Sequence, residues 1–386
     1  MDKAHVVEID PQAFHRNPYP VLAQLRRDHP VAYVPQLGAY LISRREDIFV
    51  NEKKIDIFSS YQPDGLMSKL MGENMMRKDG EAHRAERDAI FPAVSPTTVK
   101  EVWKSGFENI TRAVLDDLEN RDGADLVADY ALRVSAEGLK LVTGLTNMTY
   151  QEMDRTSQGM IDGCANYAGD AEVEANCIDC VESIDRHIDE RVQALRDQPD
   201  CSLLAVQMQA GLSLQQAKAN IRLAISGGQN EPRDAIAGTA WALITHPEQL
   251  AKIQTGSEKW MKAFEEYARW QSPIGMSPRR IAQAIELHGV QMSVDERVFL
   301  MFASANRDES VFDQPELFDL SRDVRKAISF GAGPHFCAGA WVSRAMVADV
   351  ALPMLFERFP KIRLDGDVEV AGWAFRGPLK VPVRWD

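Results

Sequence analysis

The chain has 386 residues, 45% hydrophobic and 26% charged, the proportions of a folded protein rather than a disordered one. Asp and Glu outnumber Lys and Arg by 57 to 44, giving a net charge of −13, so attraction to nucleic acid or anionic lipid is not expected. The amino-terminal stretch has no apolar segment of the kind that targets secretion, and no run of 18 apolar residues follows, which predicts a cytoplasmic protein without a membrane span.

In chain order, Val31–Val34 and residues 39–43 carry short strand signals among helical runs. Residues 98–146 space their apolar side chains three and four apart, predicting two amphipathic helices. Residues 150–225 read as mostly helical and polar. A long central helix is expected from Ser213 to Ile244, kinked at Pro232, whose ring lacks an N–H and clashes with the carbonyl of Gly228. Residues 281–302 alternate as strands do, with a turn at His288-Gly289. Residues 338–358 form an apolar helix and 367–386 return to strands. The chain is therefore mainly α with small β-sheets. Repeats and linkers are absent, so one domain over residues 1–386 is expected.

Five cysteines do not make a disulfide framework. Cys177 and Cys180 form a lone C-x-x-C in a helical stretch, where two thiols on one turn is the simplest reading, since zinc requires four ligands. Cys337 stands apart, in Phe330-Gly331-Ala332-Gly333-Pro334-His335-Phe336-Cys337-Ala338-Gly339. A thiolate metal ligand needs nearby N–H dipoles or positive charge to stay deprotonated. The apolar helix that follows puts Cys337 beside a helix amino terminus, and Gly333 and Gly339 permit tight backbone. Phe330 and Phe336 supply apolar walls against water.

This stretch matches F-x-x-G-x-H-x-C-x-G, the haem-binding signature of the cytochrome P450 superfamily, and the resemblance to its soluble bacterial members covers nearly the whole chain. It implies haem b (iron protoporphyrin IX) held between the central long helix and the Cys-loop helix, with Cys337 as the axial iron ligand and Phe330, His335 and Gly339 around it. Glu266-Tyr267-Ala268-Arg269 matches the family's E-x-x-R helix, with Arg322 as its later partner. His83 and Arg87 match H-x-x-x-R, and with Arg280 they are the expected partners of the haem propionates, which suit arginine's paired donors.

One departure is chemical. Counting back from His246-Pro247-Glu248-Gln249, the family's acid–threonine pair falls on Asn230 and Glu231. The pair normally helps to deliver protons during dioxygen activation. A buried Glu with a raised pKa can carry such a proton itself, with Asn230 orienting it or holding water. An alternative is that Glu231 merely pairs with Arg233; Arg233 and Asp234 are also expected to form a local salt bridge. An Asn-Glu pair resembles the subset that includes aromatic O-dealkylases, which makes methoxy- and alkoxy-aromatics the leading substrate expectation.

The resemblance places the substrate pocket at Ser60–Asn74, near Tyr167, at Leu223 and Gly227, at Ile274–Ser277, and near Trp373 and Phe375. Gly227 and Gly228 would leave room for a flat ring. The chain carries no flavin or iron–sulfur motif. Electrons are expected from NAD(P)H through a ferredoxin-type or flavin/iron–sulfur reductase in trans, docking on a basic face of Arg322, Arg325, Lys326 and Arg344. The implied activity is a haem-thiolate monooxygenase acting on a small organic molecule. The alternatives are a peroxygenase, a biosynthetic oxidative-coupling enzyme, and a haem sensor without turnover. Peroxygenases of the family carry Arg-Pro in the central helix, whereas this chain has the reverse, Pro232-Arg233.

Overall fold

The structure is a computed structural model that describes residues 5–166 and 169–385. Among these, helix dominates and twelve short strands occur. They are β1 (Val31–Val34), β2 (Ala39–Ile42), β3 (Phe58–Ser59), β4 (Gly123–Asp125), β5 (Ser277–Ile281), β6 (Ile285–Leu287), β7 (Val290–Met292), β8 (Arg297–Leu300), β9 (Arg363–Leu364), β10 (Glu369–Ala371), β11 (Gly377–Lys380) and β12 (Pro382–Arg384). The chain divides into two units. One is drawn from residues up to Tyr61, Gly238–Cys337 and Gly366–Val381, the other from Gln62–Ala237, Ala338–Asp365 and Pro382 onward. Tyr167, an expected pocket position, lies outside the described residues.

The first unit is built on a five-stranded sheet of order β1-β2-β8-β5-β3, in which only β2–β8 run parallel. Its strands bury Val31, Leu41, Ile42, Val298, Phe299 and Leu300 in a core shared with Phe14, Leu22 and Leu25 from the amino-terminal helices. The β6–β7 hairpin turns at His288 and Gly289, as the sequence predicts. Both residues have positive φ, 53° and 77°, the two-residue turn whose twist matches a hairpin.

In the second unit the residues read as two amphipathic helices form Lys104–Leu118 and Leu132–Thr143, each entered through a π-helical turn, with β4 between them. Small residues set how closely the helices of this unit approach. A Cβ at Gly138 would lie 2.4 Å from Cε of Met346, so the bare glycine gives the end of that side chain its place against Leu132–Thr143. Helix Tyr150–Ala165 offers Gly159 and Gly163 to helix Ala171–Asp197. A Cβ at either would lie 2.5 Å from the sulfur of Cys180 or Cys177 respectively. The C-x-x-C thiols are thus packing groups. Burial pushes the Cys177 thiol up to about 11 and raises that of Cys180. The apolar stretch before Phe359 runs as helix Ala340–Arg344, a π-helical segment Ala345–Ala351 and helix Leu352–Arg358; the hydroxyl of Tyr130 donates to the carbonyl of Ala351 at 2.6 Å. No helix of the described residues is long and apolar enough to cross a membrane.

The expected continuous helix from Ser213 to Ile244 is corrected. Helix Leu214–Ser226 stops at Gly227, and a new helix, Asn230–Thr245, begins three residues later. Two consecutive glycines weaken helix propagation, and the restart at Asn230 puts Pro232 in a first turn, where its missing N–H leaves no bond unmade. The proline therefore opens a helix instead of kinking one.

Candidate active site

Two groups of expected site residues are found, one in each unit. In the first unit, the loop from Phe330 to Cys337 is closed by its own backbone: the N–H of Gly331 donates to Ile328 and that of Cys337 to Phe330, both at 2.9 Å. Gly331 and Gly333 have φ of 75° and 71°, the left-handed region that only glycine adopts without strain. Phe330 packs against Phe264 and Phe336, with ring centroids 6.0 and 6.4 Å apart. His335 sits half-buried in a short turn, and the Cys337 thiol is exposed. Gly339 caps the helix that follows.

The E-x-x-R motif holds the segment upstream of this loop. Glu266 and Arg269 are fully buried and paired through two bonds of 2.7 Å. Arg322 reaches the same carboxylate at 3.1 Å, and the N–H of Asp319 at 3.0 Å. Arg269 also donates to the carbonyls of Asn306, Pro315 and Leu317 at 2.9–3.0 Å. Asn306 in turn binds the N–H of Ile328 at 2.8 Å and Ser329 at 3.1 Å. Arg322 was expected both as the partner of this pair, which the contact to Glu266 bears out, and on a docking face. It is instead committed to Glu266 and only 10% exposed, because a buried carboxylate beside Arg269 draws in a second cation. Arg325 and Lys326 are exposed, with Arg325 paired to Asp323 at 2.6 Å. In the second unit, the Arg344 guanidinium lies 5.4 Å from the ring of Trp341.

Arg280 pairs with Asp295 and donates to the carbonyl of Tyr61 at 3.1 Å. The next residue back on β5, Arg279, faces the opposite way and is buried, 3.6 Å from the carboxylate of Glu52. Glu52 is itself buried and accepts a 2.6 Å bond from the N–H of Ala332 in the cysteine loop. Burial pushes its carboxyl up to about 7 against the pull of Arg279. Sequence reading missed both residues, since nothing in residues 45–54 marks a buried acid. The expected pocket residues Ile274 and Phe375 come together across an isolated antiparallel bridge, with Phe375 40% exposed.

In the second unit, the break between Ser226 and Asn230 is held from the side. Ser157 donates to the carbonyl of Ile225 at 3.1 Å and Ser135 to that of Gln229 at 2.7 Å. A Cβ on Gly228 would lie 2.4 Å from the carbonyl of Ala224, so this glycine serves close backbone packing and not, as expected, room for a ring. Gly227 is exposed and meets only the carbonyl of Leu223 at 3.4 Å; Leu223 and Gly227 follow one another along one helix face. Asn230 donates to Gln158 at 3.2 Å.

The Oδ1 of Asn230, the Oε1 of Gln229 and the Oε2 of Glu231 are all buried without a hydrogen-bond partner. The Glu231 carboxyl is pushed up to about 7, chiefly by burial and further by nearby Asp234, with Arg233 opposing. Arg233 pairs with Asp234 at 2.9 Å and Asp154 at 3.5 Å, which satisfies it without Glu231.

His83 and Arg87 lie four apart on helix Gly80–Val94. Between them, Glu86 is buried and accepts from Lys78 at 2.5 Å, Asn220 at 2.9 Å and Gln216 at 3.1 Å. It thereby ties the helix of His83 and Arg87 to the helix that carries Leu223. No motif pointed to Glu86.

A family model described as Cytochrome P450 matches residues 259–365, from the E-x-x-R helix past Cys337. Pulcherriminic acid synthase of Bacillus subtilis (strain 168) is 25% identical over 97% of this chain and 96% of its own length. The 20-oxo-5-O-mycaminosyltylactone 23-monooxygenase of Streptomyces fradiae is 29% identical, over 94% of this chain and 88% of its own. Among solved structures, CYP109E1 from Bacillus megaterium in complex with testosterone has a TM-score of 0.88 at 19% identity, covering 98% of this chain and 100% of that one. That likeness speaks for the fold.

Proposed function

Because this chain belongs to the cytochrome P450 family, we propose that Cys337 is its haem ligand and that Glu231 delivers protons in its reaction. The enzyme is a cytochrome P450 monooxygenase: haem b is its cofactor, and electrons come from NAD(P)H through redox partner proteins. Bound, the haem supplies the redox chemistry that activates dioxygen so that one oxygen atom enters a small organic substrate.

The residues present fit that group. Cys337 offers one exposed thiol on a loop whose backbone is fixed, just before a helix amino terminus that favours an anion. His83, Arg87, Arg280 and His335 are the proposed propionate partners, and Phe330 and Gly339 flank the ligand. The whole chain is read as one catalytic domain.

The observation that carries the mechanism is the buried, unpartnered Oε2 of Glu231 on a carboxyl near pH 7. At neutral pH both of its protonation states are populated, so it releases a proton and regains one without a large free-energy step. Asn230, whose amide donates to Gln158, keeps its Oδ1 available for a water. Leu223, Gly227, Ile274 and Phe375 are the proposed substrate contacts. Small aryl ethers are the proposed substrate class, demethylated with release of the aldehyde. The Asn230-Glu231 pair and the open face of Gly227 support this reading. A ferredoxin-type or flavin/iron–sulfur partner is proposed to dock near exposed Arg325 and Lys326, close in sequence to the cysteine loop.

A second reading is oxidation of a biosynthetic intermediate. Two relatives aligned over most of the chain, a pulcherriminic acid synthase and a mycaminosyltylactone monooxygenase, favour it. Spectral titration of the haem-loaded enzyme with methoxybenzoates, alkoxyphenols and fatty acids separates the two. A low-to-high spin shift with the aryl ethers alone is expected; no shift with any of them would overturn the substrate class.

A further inference from the structure

The cysteine loop rests on a buried acid from a distant part of the sequence. Glu52 follows helix Arg45–Asn51 and is 1% exposed. Its carboxylate accepts the N–H of Ala332 at 2.6 Å and faces Arg279 on β5 at 3.6 Å. Two loop glycines are shaped to the same segment. A Cβ on Gly331 would lie 3.0 Å from the Oε1 of Glu52, and one on Gly333 would lie 2.9 Å from Cγ of Lys53. Both glycines also have positive φ, so the loop is turned inward at the two places where Glu52 and Lys53 approach. The other end of the loop is tied by Asn306 to Ile328 and Ser329. Within the loop, Glu52 is a side-chain anchor on the N–H of Ala332.

We infer that Glu52, set by Arg279, is a positioning residue that holds the Phe330–Cys337 loop in the shape that keeps the Cys337 sulfur bound to iron. This rests on the reading of Cys337 as the haem ligand. The bond from the Ala332 N–H to this carboxyl is charge-assisted in the ionised form that Arg279 favours, and in a buried site it resists the loop swing that would let the sulfur detach and take up a proton. A glutamine keeps the shape and one acceptor oxygen but loses the charge.

The test uses the haem-loaded protein and its Glu52→Gln, Glu52→Leu and Asp308→Asn variants. Asp308 is a buried control: it accepts the N–H of Arg45 at 2.8 Å, at the opposite end of the Glu52 helix, and does not touch the loop. The readout is the Soret band of the reduced carbon monoxide complex, which distinguishes thiolate from thiol ligation, followed with time in moderate urea. Circular dichroism and haem content are measured alongside. Glu52→Gln is expected to lose the thiolate form about tenfold faster at unchanged haem content and helicity. Glu52→Leu loses it faster still, and Asp308→Asn at the parent rate even if its melting temperature falls. Parent-like decay in Glu52→Gln overturns the inference, as does equally fast decay in Asp308→Asn. If Glu52→Leu does not fold, Glu52→Gln decides alone. A parent protein with no thiolate-type band would overturn the reading of Cys337 itself, a separate outcome.

Discussion

Two buried glutamates, one in each unit, are treated in opposite ways. Glu266 faces two guanidiniums and a backbone N–H, and Arg269 beside it spends its remaining donors on three carbonyls. Glu231 has an oxygen sealed from water with no donor, and the two residues before it each hold a buried acceptor that also lacks one. A low-dielectric site makes satisfied polar groups rigid and unsatisfied ones costly. The first arrangement is what a fixed scaffold needs. The second leaves an oxygen that meets no donor on a group that changes its charge near neutral pH, the combination that proton transfer needs.

The contrast can be broken most severely at Glu266. Glu266→Gln strands Arg269 in the interior, and a loss of about 3–5 kcal/mol in unfolding free energy is expected, read by thermal or urea denaturation. A near-parent stability would show that this cluster is not the scaffold. At Glu231, the glutamine variant should keep haem binding, substrate binding and near-parent stability. Product per NADH consumed should fall by roughly 10–100-fold, the scale of losing a general acid, with hydrogen peroxide released instead. Unchanged coupling would remove Glu231 from the reaction.

The same carboxyl gives a pH test. Its pKa of about 7 exceeds the ordinary 4.5, so the folded state holds a proton that the unfolded chain releases. That contribution to stability is full below about 4.5 and is lost as pH rises through about 7. The parent should therefore lose stability across this window relative to Glu231→Gln, measured as melting temperature against pH. A smaller contrast lies in the adjacent glycines. Gly228→Ala should cost about 1–3 kcal/mol, because its methyl meets the Ala224 carbonyl, whereas Gly227→Ala should cost under about 1 kcal/mol and alter the substrate-induced spin shift. The smallest effect is expected at Lys326→Glu. It should slow reduction by an acidic partner several-fold at low salt and be indistinguishable from parent at high salt.

Local chemistry was readable in the sequence wherever it sits on one short segment. The closed backbone of the cysteine loop, the Glu266–Arg269 pair and the His288-Gly289 hairpin depend on neighbours in the chain. The helix break at Gly227 was misplaced because a proline invites a kink, and only the packing of Gly228 against Ala224 shows that the chain stops and restarts. Glu52, Arg279 and Glu86 were invisible because each acts on residues far away in sequence. A charged residue in an ordinary polar stretch carries no mark of the long-range contact that buries it. Arg322 carries two expectations: the motif pairs it with Glu266, 56 positions earlier, as found, while adjacency to Arg325 and Lys326 also suggests a docking role that this pairing takes away.

The seating of the Cys180 sulfur against Gly159 links two positions by heredity. A methyl gained at Gly159 can be accommodated if Cys180 shrinks in the same lineage, while at Gly163 the Cβ of Cys177 leaves room only for glycine. Alanine at Gly159 should thus be relieved by alanine at Cys180, whose Cβ lies 3.5 Å away, whereas alanine at Gly163 would still meet the Cβ of Cys177 at 2.6 Å. Across descendants of this gene positions 159 and 180 should drift together, a pattern of exchange that a redox or metal role for the Cys180 thiol would forbid.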